Sequence, residues 1–166
     1  MYQKEIQKNK FLSLAKKFDF CIEKSVLSYT FPVLKHSLRL RSKDVRYLTR
    51  KRQYFVKGSF AFFYVKQYPN NQFNQFSFHV TIKLSKHATK RNFIKRQVMN
   101  LIRDQKYTEL AIWNQFYKLF ITLNKDSLVP FQKLLEEKKT LELIDYIDKE
   151  FAYSFRSLQS FLCSRK

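Results

Sequence analysis

Between Leu34 and Tyr107 the chain sets eighteen Lys and Arg residues against two carboxylates, Asp44 and Asp104. A segment this basic can fold only if each element gathers its apolar residues on one side and its cations on the other, because a buried cation would have neither partner nor solvent. The flanks differ sharply: residues 1–33 carry a net charge of +3 and residues 108–166 carry +1, against +16 for the middle. The total of +20 over 166 residues argues for a polyanionic partner, and the asymmetry assigns that partner to the middle segment. Hydrophobic residues make up 45% of the chain and aromatics 17%, so the charge decorates a folded scaffold rather than a disordered tail.

Several chemistries are excluded by what the chain lacks. Its one glycine, Gly58, rules out a P-loop, a dinucleotide-binding fingerprint and a GxxG nucleic-acid clamp. Cys21 and Cys163, with only His36, His79 and His87, give no zinc-binding spacing and are expected to be reduced and structural. No apolar run approaches the roughly 18 residues of a membrane span, and the N-terminal residues lack the apolar core of a signal peptide. A cytoplasmic protein without a membrane partner or a small-molecule substrate is the expectation.

Hydrophobic period orders the elements. Phe11, Ala15, Phe18, Ile22 and Val26 recur at steps of three and four, predicting an amphipathic helical extension over residues 1–33 that docks through its apolar stripe. A basic helix is expected from Ser42 to Phe55, carrying Arg46 and Arg50. Ser59 to Gln67 reads as a strand, and after the turn at Pro69-Asn70-Asn71 the alternation of Phe76, Phe78, Val80 and Ile82 predicts a returning strand to Leu84. The period then lengthens: Ile94, Val98, Leu101 and Ile102 make one helical stripe between Thr89 and Gln105. Tyr117 to Leu123 is a third strand, and Pro130 opens a helix carrying Phe131, Leu134, Leu135, Leu141, Ile144 and Ile147. The result is one α+β domain over residues 34–150, preceded by the extension and followed by a tail at 151–166.

On the helix after Thr89, Asn92, Lys95, Arg96 and Arg103 fall in one arc beside the apolar stripe, with Arg91 at its border. Guanidinium forks and an amide at helical spacing can hold several phosphate oxygens at once. A solvated helix face would show the same charges, so the order of the parts matters more. A basic helix beginning near RLRSKDV, the aromatic strand FAFFYV, a strand running into Lys83 and then ATKRNFIKR together resemble the bacterial ribonuclease P protein component. That family's signature helix begins Arg-Asn-Arg-x-Lys-Arg, which Arg91, Asn92, Lys95 and Arg96 match, while Phe93 stands where the third arginine would. Leu84 and Lys86 depart from the preceding loop's usual second lysine and glycine, and Val45 and Thr49 from the aromatics of the first helix. The resemblance spans roughly Leu34 to Leu141.

What the resemblance implies is a two-layer α/β sandwich on a central mixed sheet with a left-handed βαβ crossover, and a protein subunit that binds a catalytic RNA. That RNA, with its Mg²⁺ ions, would remove the 5′ leader from precursor tRNA, and this chain would supply no catalytic residue and no metal site. The expected RNA contacts are Arg91, Asn92, Lys95 and Arg96, with Lys83, Lys86, Lys90 and Arg103 around them. Tyr64 and, with it on one face of the strand, Phe62 would join Arg46 and Arg50 in a cleft for the single-stranded leader. The residues independently agree on one point: two carboxylates far apart in the basic segment do not make a two-metal nuclease site. His79 and His87 flank the second strand and are expected to be exposed or RNA-contacting rather than an acid/base pair. The rival reading is a ribosomal or general RNA-binding module with no nuclease partner; a membrane-surface protein fits worst, because strands interrupt the most basic stretch.

Overall fold

A computed structural model describes residues 34–112 and 114–165, and the amphipathic pattern of residues 1–33 lies outside them. The fold is α+β, built on a four-stranded mixed sheet in the order β1-β2-β4-β3. Its central strands are β2 (Phe60–Lys66) and β4 (Tyr117–Leu123), antiparallel to each other. The short β1 (Tyr54–Lys57) pairs antiparallel on the outer side of β2, and β3 (Gln75–His79) pairs parallel with β4. β3 therefore does not return alongside β2: β4 lies between them, and the parallel pair is joined through the helix α2 (Ala88–Asp104). β3 also stops at His79, short of the expected Leu84, and a turn follows in which the Leu84 N–H donates to the Thr81 carbonyl (3.2 Å).

The basic helix α1 (Ser42–Lys51) is shorter than its period suggested. Arg52 takes a left-handed φ of 52°, which ends the helix and frees Tyr54 to begin β1. Lys57 and Phe60 pair across a two-residue turn whose first position, Gly58, has φ +61° while Ser59 does not. This is the pattern of a type II′ hairpin turn, where glycine adopts at no cost a conformation that L side chains resist.

Helices cover one face of the sheet. Here Phe60, Phe62, Tyr64, Phe76, Phe78, Leu119 and Ile121 meet Ile94, Val98 and Ile102 of α2 in the main core. The helical pattern after Pro130 resolves into two helices, α3 (Leu128–Glu136) and α4 (Thr140–Ser164), separated where Lys138 adopts φ 55°. α4 runs through the residues expected as a tail: Phe151, Phe155 and Leu158 are fully or almost fully buried. The aromatic stacking is dense, with Phe62 lying 6.1 Å from Phe151 and 6.3 Å from Phe155, ring to ring. Each such side chain removed from water contributes about 1.5–3 kcal/mol, so α4 is integral to the domain.

Polar groups tie the layers. Ser59 donates from its backbone N–H (3.1 Å) and hydroxyl (2.6 Å) to the Glu150 carboxylate, fastening the hairpin to α4. Fully buried Asn74 has its side chain satisfied on both sides. Its Nδ2 donates to the carbonyls of Tyr107 (2.9 Å) and Leu110 (2.7 Å), and its Oδ1 accepts from the Tyr117 N–H (2.7 Å). Cys163 is a half-buried free thiol, and Cys21 lies outside the described residues. Among the described residues no helix is long and apolar enough to cross a membrane.

Candidate RNA interface

The second face of the sheet carries α1 and is less completely covered. Strand register lays Tyr54, Phe63, Phe120 and Ser77 in one row across all four strands, with Val65, Lys118 and Gln75 in the next. The rings of Tyr54 and Phe63 lie 5.9 Å apart and those of Phe63 and Phe120 lie 5.7 Å apart. Leu40, Leu48 and Phe120 form a small core beneath α1, with Val45, Phe63 and Val65 packed partly buried at its margin. Tyr54 is exposed and Phe63 half-exposed, so the row runs from covered to open.

Charges frame this row. Lys118 Nζ lies 2.7 Å from Asp44 Oδ1 in the first turn of α1, and 5.1 Å from the centre of the exposed Tyr68 ring. Arg46 and Arg50 are exposed one turn apart on α1, and Lys51 lies over the Tyr47 ring. Unpaired bases stack on aromatic faces without regard to sequence while nearby cations track the backbone. The arrangement suits a single strand.

Phe62 and Tyr64 belong to the opposite face and do not join this groove. Phe62 is 0% exposed in the aromatic core, and Tyr64 is 7% exposed, edge-on to Tyr117 and Phe161. The strand FAFFYV is apolar on both faces, so alternation alone could not say which set faced α1. Phe63, Tyr54, Phe120, Lys118 and Tyr68 are the residues that reading missed. The parity of Phe63 with Val65 was available in the sequence; the cross-strand partners on β1 and β4 were not.

On α2, Ile94, Val98, Met99, Leu101 and Ile102 are buried, while Asn92, Lys95 and Arg96 are exposed and helical spacing places them together. Lys83 and Lys86 are exposed and Lys90 half-exposed just before and within the first turn. Arg91 has a different task. Its guanidinium donates to the carbonyls of Ser85 (2.7 Å) and Lys86 (2.8 Å), holding the loop that leads into the helix. Arg103 is half-buried and pairs with Asp104 at 2.7 Å, about two turns along the helix from Arg96. Phe93 packs half-buried against the main core. The two carboxylates of the basic segment, Asp44 and Asp104, are thus both ion-paired. Among the described residues no group of three or more His, Cys, Asp and Glu side chains could hold a metal ion.

A helix edge rich in exposed Lys and Arg, set on an α+β sheet whose other face is aromatic and ringed with cations, defines an RNA-binding protein. A family model described as Ribonuclease P matches residues 34–143, about two thirds of the chain and the whole of the sheet and α1 to α3. The chain belongs to the ribonuclease P protein family, and its role is that of the enzyme's protein subunit, which implies an RNA partner in the holoenzyme. Similar solved structures include the ribonuclease P protein of Thermotoga maritima, at 20% identity and a TM-score of 0.47, covering 66% of this chain and 96% of that one. The same protein in complex with 1-(4-fluorophenyl)-2-thiourea matches at 20% identity and 0.47, with coverages of 64% and 96%. The Staphylococcus aureus ribonuclease P protein matches at 16% identity and 0.44, with coverages of 64% and 96%. A search of curated proteins finds no match.

Proposed function

We propose that the chain holds the catalytic RNA of ribonuclease P along the exposed edge of α2 and receives the 5′ leader of precursor tRNA on the aromatic row beneath α1. Asn92, Lys95 and Arg96 carry the first contact, with Lys83, Lys86 and Lys90 adding cations and Arg91 fixing the loop beside them. Phe63 and Tyr54, with Lys118, Arg46 and Arg50, carry the second. The chemistry belongs to the RNA and to Mg²⁺ ions bound by it, in the cytoplasm. The observation that supports this most is the division of labour: exposed cations on a helix packed on one face, and a half-open aromatic row on the other.

The test is reconstitution. Precursor tRNA is incubated with the catalytic RNA, with and without the protein, over a range of Mg²⁺. The protein alone should be inactive, and its stimulation should be greatest at low Mg²⁺, where its cations replace metal in screening RNA from RNA. Cleavage by the protein alone, surviving removal of RNA, would overturn the reading.

A further inference from the structure

At one corner of the sheet β2 outruns its neighbour. Tyr64 N–H donates to the Gln53 carbonyl (3.1 Å) and Gln67 N–H to the Phe116 carbonyl (2.7 Å), so alternation turns the Lys66 N–H toward the same edge as that of Tyr64. β1 begins at Tyr54 and supplies no strand opposite Lys66. The space beside this edge is a cavity of about 520 Å³, walled by the end of α1, the starts of β1 and β4, and the last turn of α4. That volume is within the usual range of small-molecule sites.

The lining is one-sided in charge. Lys51, Lys66 and Arg165 contribute three cations, and among the described residues no carboxylate side chain lines the cavity. Arg165 is held in place, its guanidinium 3.2 Å from the Tyr64 hydroxyl and 4.4 Å over the Phe161 ring. Gln53 and Gln115 add amide side chains, each both donor and acceptor, and Leu162 gives an apolar wall. Burial, with the Cys163 thiol and Tyr64 nearby, raises the Tyr117 phenol above its ordinary value of 10.0, so it stands there as a donor. Leu162 and Arg165 lie beyond the residues the family model matches, so the pocket depends on a part of α4 outside that match.

We propose that this corner pocket binds a single nucleotide unit, its phosphate among Lys51, Lys66 and Arg165 and its base against Leu162, within hydrogen-bonding reach of the glutamine amides. Cations set around a phosphate and amides beside an apolar wall are complementary to that chemistry. The unit is either an unpaired residue of an RNA strand or a free nucleotide, which share every group the pocket addresses. The site is separate from the row Tyr54–Phe63–Phe120 and from α2, so its failure would leave the ribonuclease P reading standing.

The experiment follows the Leu162 methyl resonances of the full chain, labelled at leucine methyls, during titration with a short oligouridylate, with uridine monophosphate and with inorganic phosphate. Saturable shifts at Leu162 are expected with one or both uridine probes, and Arg165→Ala should weaken that binding by about tenfold. Shifts with the oligonucleotide alone assign the pocket to an RNA strand, and shifts with the monophosphate as well assign it to a free nucleotide. Leu162→Trp, which fills the cavity without changing charge, should reduce oligouridylate affinity while leaving assembly with the catalytic RNA as it is. Leu162 methyls that do not move with any probe, or that respond equally in Arg165→Ala, would overturn the proposal. So would inorganic phosphate binding as tightly as the monophosphate.

Discussion

Asp44 in the first turn of α1 and Lys118 on β4 meet at 2.7 Å across the margin of the groove, with the lysine side chain 14% and the carboxylate 26% exposed. The pair fixes α1 on the sheet and at the same time neutralises a lysine that stands on β4 beside the aromatic row. Asp44→Ala should therefore act in two directions. Stability to urea should fall by about 1–2 kcal/mol through loss of a partly screened charged hydrogen bond. Affinity for a single-stranded RNA should hold or rise, because Lys118 gains freedom to meet a phosphate. A parallel fall in both would show that the groove needs α1 clamped.

Neighbouring phenylalanines on β2 separate packing from binding. Phe62→Ala empties a fully buried aromatic site and should cost about 3–5 kcal/mol of stability. Phe63→Ala removes a half-exposed ring and should cost less stability, while weakening precursor tRNA binding by about 1–3 kcal/mol relative to mature tRNA, which has no leader to stack. Equal losses for the two RNAs would remove Phe63 from leader recognition.

Lys95→Ala and Arg96→Ala should each weaken assembly with the catalytic RNA by about 1.5–3 kcal/mol and flatten its salt dependence by roughly one counterion, with the circular dichroism unchanged. Ile94→Ala, on the buried side of the same helix, should instead cost about 2–5 kcal/mol of stability. An unchanged salt slope in the folded double variant Lys95→Ala/Arg96→Ala would exclude this edge as the RNA contact.

Gly58 has no room for a side chain. A Cβ there would lie 3.0 Å from Ser154 Oγ and 3.1 Å from Glu150 Oε2, at a φ of +61°. Gly58→Ala should lower stability by more than about 1 kcal/mol, read as a drop in Tm.

Alkaline pH should loosen the core at Tyr107, whose ring packs 4.6 Å from Phe155 and whose phenol burial raises above its ordinary value of 10.0, against a smaller opposing effect of Arg156. The folded state keeps a proton that the unfolded chain releases, so this contribution is full below pH 10.0 and is lost as pH rises past it. Tyr107→Phe should make stability less dependent on pH in that range, measured by thermal melts in alkaline buffers.

How much of this was legible in the sequence depended on how local each cause was. β4 is found at Tyr117–Leu123 and α2 within a residue of its expected ends, because alternation and the stripe of Ile94, Val98 and Ile102 are local patterns. The start of β1 falls inside the stretch whose period predicts helix, since four residues carry too little period and Arg52 ends α1 in a left-handed conformation that no glycine announces. The pairing of β3 with β4 depends on contacts far apart in sequence, which period does not encode. α4 is the opposite case: Leu143, Ile147, Phe151, Phe155 and Leu158 repeat at helical steps and would have marked the helix through residue 158. In the site, the exposure of Lys95 and Arg96 followed from helical geometry. The groove row did not, because it is assembled across four strands.

The position of α4 in the chain bears on how the protein is made. The strands are complete at Leu123, yet among the described residues the aromatic rings that cover Phe62 and Phe76 are those of Phe151 and Phe155, and the ring that covers Phe55 is that of Phe161. On the ribosome the sheet therefore emerges before the helix that seals it. Contacts this distant form late and leave apolar surface and strand edges uncovered in the interval. A nascent chain paused between β4 and α4 is already strongly basic and still open on its apolar face. Its vulnerable moment, to aggregation or to proteolysis, falls in the synthesis of those few dozen residues, and the timing of translation there becomes part of its folding.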